Sequence, residues 1–136
     1  MTAEVVEGYF DIAKEDIEAA ERLLNYVPRA AAYHLEQAAE KMVKAVLVAE
    51  GEDPGASHDI ATLVDMLPTG HEWKADLAAL SPLSRFATSF RYPTPTGRVP
   101  APPDAAELRR HGVLLRTLLD DALDWCRDRV GPDTRR

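Results

Sequence analysis

"AYHLEQAAEKMVKAVLVAEG", residues 32–51, is the stretch on which the fold turns. Leu35, Ala38, Ala39, Met42, Val46 and Ala49 recur at steps of three and four, the apolar stripe of an amphipathic helix. Pro28 suits the first turn of that helix, and Gly51, followed by the turn-rich "EDPGAS", ends it. At about 100° per residue, His34 and Lys41 fall at the border of the stripe and Gln37 just beyond it. Glu40 and Lys44 are predicted to point to solvent as an i,i+4 pair worth a few tenths of a kcal/mol.

The chain on either side follows the same period. Val6, Phe10, Ala13, Ile17, Ala20 and Leu24 form a helical stripe over about residues 3–26. Downstream, Ile60, Leu63, Val64 and Leu67 predict a short helix, with Ser57 as its cap and Asp59 in its first turn. Pro68 and Gly70 end that helix. Residues 71–91 are predicted as a fourth helix, kinked or split at Ser81 and Pro82. "YPTPTGRVPAPPD", residues 92–104, has five prolines and one glycine and reads as a loop. Asp104 then caps a last helix whose apolar side is Leu108, Leu115, Leu118, Leu119, Ala122 and Trp125, and Gly131 and Pro132 stop it. No stretch alternates with period two, and no repeat is present. The expected fold is all-α, an antiparallel up-and-down four-helix bundle with one additional short helix over residues 1–130 and a polar tail over 131–136.

Composition narrows the function classes. The 136 residues are 46% hydrophobic and 29% charged, an ordinary folded composition for one domain. No apolar run approaches the roughly 18 residues of a membrane span, and the acidic N-terminal stretch lacks the features of a secretory signal. With the single Cys126, this sets the expectation of a cytoplasmic protein without an internal disulfide. The formal net charge of −7 argues against a broad electrostatic footprint for long nucleic acid and leaves room for a small basic pocket. The four histidines and one cysteine have no zinc spacing, and no glycine-rich phosphate loop or Ser/His/Asp signature occurs, so no cofactor is expected.

The order of features is more specific than any one of them. A long helix precedes "YHLEQAAEKMVKAVLVAEG"; a short spacer, "SHDIATLVDML" and then "SFRYPTP" follow. Carried by His34, Gln37, Ala38, Glu40, Lys41, Lys44 and Ala45, by His58 and Asp59, and by Arg91, Tyr92 and Pro93, the chain resembles the HEPN domain family from about residue 3 to residue 129. The resemblance implies an antiparallel helical bundle, often dimeric, similar to the toxin–antitoxin-like branch that accompanies minimal nucleotidyltransferases, either fused or as a separate partner chain. Many other members are metal-independent RNases with an arginine and a histidine four to six residues apart near the start of the late helix. There the histidine would act on the ribose hydroxyl or leaving oxygen, and the arginine would steady phosphate charge.

This sequence departs from that motif. Arg91 is followed at once by "YPTPT", and Arg109 and Arg110 abut His111. The one match, Arg29 to His34, lies in the second helix with its two side chains about 140° apart. Three readings follow. The first is a non-catalytic module that binds a nucleotide or RNA phosphate, or a nucleotidyltransferase partner, through a groove between the second and fourth helices. Its site residues are His34, Gln37, Lys41, His58, Arg85, Arg91 and Tyr92, where Tyr92 stacks on a base or pins the loop to the bundle. The second is a toxin-like endoribonuclease with a displaced site, such as Arg91 with His34 or His58. The third is a homodimeric interaction protein with no ligand.

Overall fold

A computed structural model describes residues 2–131, with Ala87 and Thr88 described by their backbone alone. Its elements are α1 (Thr2–Leu23), α2 (Pro28–Ala49), α3 (Ile60–Asp65), α4 (Lys74–Ala78), a 3-10 turn (Ser81–Ser84), α5 (Arg85–Thr88) and α6 (Ala105–Val130). The described residues are all-helical, with no strand. The end of the expected tail, residues 132–136, lies outside the described residues.

Three long helices carry the bundle, and their ends follow from local chemistry. α1 buries Val6, Phe10, Ala13, Ile17 and Ala20, the predicted stripe. It closes at Leu23, whose carbonyl accepts from the N–H groups of Tyr26 and Val27. Pro28 opens α2. Asp104 caps α6 by accepting from the Glu107 N–H at 3.2 Å, and Gly131 ends it at φ 80°, a conformation that favours glycine. Polar pairs give the directions. Glu7 meets Arg127, Glu21 meets Arg116, and Asn25 meets Arg109, so α1 and α6 run antiparallel.

α2 is the central helix. It packs on α1, α3, the 3-10 turn, α5 and α6. Ala31, Ala32, Ala38, Ala39 and Ala45 are fully buried along it, and their small side chains let neighbours approach closely. This overturns one expectation. Glu40 is only 4% exposed and Lys44 8%, so neither points to solvent, although they do pair at 3.4 Å. A wheel assigns one wet face to a helix with one covered face, whereas α2 is covered on several sides.

Residues 71–91 also differ from the expected helix. They form α4, the 3-10 turn and α5, three short pieces. The buried side chains there are Leu77, Leu80, Leu83 and Phe86, spaced by three throughout. A period of three stays on one face only where the chain winds with three residues per turn, and 3-10 geometry does that. Pro82 fits the start of that turn, where no N–H is needed. Ser84 Oγ accepts from the Ile60 N–H at 2.9 Å and ties the layer to α3. At the α3 N-terminus the cap is Asp59, not Ser57: its carboxylate accepts from the Thr62 hydroxyl and N–H, which hold it below the usual carboxylate range.

The C-terminal stretch of α6 buries Ala122, Leu123 and Cys126 while Arg127 and Arg129 clasp Glu7 and Glu50. No described helix is long and apolar enough to cross a membrane.

Candidate functional site

The polar side of α2 lies between α1 and the short-helix layer, and its side chains form two linked groups. On the α1 side, Asp16 accepts from His34 Nδ1 at 2.9 Å and faces Lys41 Nζ at 3.6 Å. Lys41 Nζ also donates to Gln37 Oε1 at 2.8 Å, and Gln37 Nε2 donates to Glu36 Oε2 at 2.8 Å. On the other side, Glu40 Oε1 lies 3.0 Å from His58 Nδ1. The side chain of His58 is 75% exposed, whereas that of Glu40 is buried.

Above the start of α2 sits a cation between aromatic rings. The Arg91 guanidinium carbon lies 4.3 Å from the centre of the Tyr33 ring and 5.6 Å from that of Tyr92. Tyr33 in turn meets the His34 ring edge-on, with centroids 5.4 Å apart. Arg91 reaches this place because Arg29 fastens the segment on both sides of it, donating to the Phe90 carbonyl and, at 2.6 Å, to the Pro100 carbonyl. Arg29, the arginine of the α2 match, is therefore occupied with backbone carbonyls and does not act beside His34.

The structure gathers His34, Gln37, Lys41, Arg91 and Tyr92 on one strip and sets His58 at its far side through Glu40. Arg85 lies elsewhere. Its guanidinium pairs with Glu107 of α6 and lies 5.1 Å from the Phe86 ring. Glu107 also faces His111 Nε2 at 3.9 Å, and burial lowers the His111 pKa despite that carboxylate. The expected groove between two long helices is thus a strip of α2 beneath the segment that follows α5.

Asp16, Tyr33, Glu36 and Glu107 are participants that the sequence pattern does not single out. Asp16 carries one weak signal, a carboxylate at the edge of the α1 stripe. Tyr33, adjacent to His34, carries none beyond that adjacency. Glu36 is 0% exposed, its Oε1 has no hydrogen-bond partner among the described residues, and burial pushes its pKa up to about 7, with Gln37 opposing. The Arg85–Glu107–His111 group joins residues far apart in sequence, which no local spacing displays. Among the described residues no three His, Cys, Asp or Glu side chains gather to hold a metal ion.

An all-helical bundle built on one central helix agrees with one comparison. A family model for the HEPN domain matches residues 6–111. The chain belongs to the HEPN domain family. No curated protein and no solved structure matches it.

Proposed function

We propose that this chain is a non-catalytic HEPN binding module that takes a nucleotide or RNA phosphate on the α2 strip. The observation that carries the reading is Arg91, exposed and set against the rings of Tyr33 and Tyr92, with Tyr33 in turn against the ring of His34. Guanidinium and ammonium groups suit phosphate oxygens, and Tyr92, largely exposed, offers a ring on which a base stacks. Asp16 keeps His34 and Lys41 in place in the free protein, so a ligand gains pre-positioned donors and competes with one carboxylate. Calorimetric titration with AMP, ATP and a short RNA tests it. The expected result is micromolar binding that is lost when Lys41→Ala is combined with Arg91→Ala; no heat from folded wild-type protein overturns the reading. A homodimer, or a complex with a nucleotidyltransferase chain, is compatible with the same strip, and size-exclusion chromatography with light scattering distinguishes dimer from monomer.

A second reading has its own observation. The Arg85–Glu107–His111 group places an arginine and a histidine on one carboxylate, and a histidine kept neutral by burial can accept a proton from a ribose hydroxyl. As a displaced RNase site it predicts metal-independent RNA cleavage that His111→Ala abolishes and Arg91→Ala does not.

A further inference from the structure

On the side of the bundle where α1 meets α6, a cleft of about 80 Å³ opens between α1, α2 and α6. Ala20, Glu21, Leu24, Leu35, Leu108 and Gly112 line it, with Arg109 and Val113 at its edge, and its lining is mostly apolar. An open hollow walled by Ala106, Arg110 and the shared residues Arg109 and Val113 adjoins it. Val113 is 62% exposed there. Arg109 reaches Asn25 at 3.4 Å, which brings the α1–α2 turn, with Tyr26 at 83% exposure and Val27 half-exposed, to the same edge.

Gly112 is the informative residue. It sits inside a 26-residue helix, where glycine is less stable than alanine. An added Cβ would meet nothing nearer than Leu35 Cδ2 at 3.7 Å, an ordinary contact. The fold therefore has room for alanine and gains nothing from glycine, and what the missing side chain leaves is depth in the cleft. The volume is about half of the ~150 Å³ that takes a benzene ring, which suits one aliphatic side chain and excludes an aromatic one. Charge at the rim supplies the second criterion. Among the described residues neither Arg109 nor Arg110 has a carboxylate partner, while the nearby Glu21 carboxylate is held by Arg116 at 2.6 Å. The chain as a whole carries −7, but contact potentials are set mostly within a Debye length of about 8 Å, and these two arginines lie at the cleft.

We propose that this cleft docks an acidic segment of another protein, one aliphatic side chain entering beside Gly112 and flanking carboxylates meeting Arg109 and Arg110. It is a site distinct from the α2 strip and uses none of its residues.

The probe is a short helical peptide of alanine and glutamate with one central leucine, titrated into isotopically labelled full-length protein and followed by amide chemical shifts. The expected shifts are confined to residues 20–27 and 105–113. They weaken about tenfold or more, as for loss of a buried anchor, when the peptide leucine becomes alanine or when the protein carries Gly112→Leu. Arg109→Glu with Arg110→Glu abolishes them, and unchanged circular dichroism with Gly112→Ala as a milder variant keeps folding separate from binding. No shift at millimolar peptide overturns the proposal. So does equal binding of a lysine-for-glutamate peptide, or a shift of the same residues on raising protein concentration without peptide, which would make a second copy the occupant.

Discussion

The carboxyl of Glu36 lies out of water with one oxygen unpartnered and its pKa near 7. In the unfolded chain it titrates at its ordinary 4.5. Below pH about 4.5 both states hold the proton and folding loses nothing. Between about 4.5 and 7 the unfolded chain ionises while the folded one keeps the proton, so stability falls as pH rises. Above about 7 both are ionised and the loss is constant, up to ~3 kcal/mol. Urea titrations at pH 5 and pH 8 should show this difference in wild type and a smaller one in Glu36→Gln; equal differences would place Glu36 in water. Cys126 is a buried titratable group outside the site. Burial, with Glu50 and Glu7 adding to it, pushes its thiol up to about 12, so hardly any thiolate forms at neutral pH. Its labelling by a disulfide reagent should follow the opening of the fold, accelerating with added urea, and fast labelling in native buffer would contradict its burial.

Individual elements show why some structure was legible and some not. The spans of α1, α2 and α6, with Pro28, Asp104 and Gly131 at their ends, follow from signals within a few residues. So does the all-helical class. The broken segment after His71 carried its signal in a spacing of three, easily taken for part of a 3.6 period. The surroundings of α2 had no local trace, since coverage by α3 and α5 is settled by tertiary packing; Glu40 and Lys44 were misjudged for that reason. The same holds for Asp16 with His34, and for Arg85 with Glu107. Two element-level outcomes follow. Arg29→Ala removes two charge-assisted bonds, one to Phe90 just before the 92–104 loop and one to Pro100 within it, costs about 1–3 kcal/mol, and should speed proteolytic cutting within that loop at low protease. Gly112→Ala improves α6 by up to ~1 kcal/mol and raises Tm by about 3–4 °C in a thermal scan.

At the scale of the molecule, the α1–α6 seam is laced by Glu7 with Arg127 and Glu21 with Arg116, where both arginines and Glu21 are about half-exposed. Exposed pairs of this kind contribute about 0–1 kcal/mol each and are screened by salt. The buried stack of Phe10, Ile17, Leu35, Met42 and Leu47 supplies more. Raising salt to molar strength should therefore move the denaturation midpoint little, whereas Leu47→Ala should cost 2–5 kcal/mol, an estimate from the usual range for core truncations of about that size. A large salt effect would reverse this ranking. Of the three short pieces between α3 and the proline-rich loop, each with few turns of its own, the 3-10 turn and α5 lean on α2 and α4 leans on α3. Hydrogen exchange should accordingly separate two clocks: the α2 amides from Ala38 to Leu47 wait for global unfolding, while residues 60–86 exchange through a smaller, faster opening. That opening lifts α3, the 3-10 turn and α5 from α2, so water reaches the middle of the protein from this side first.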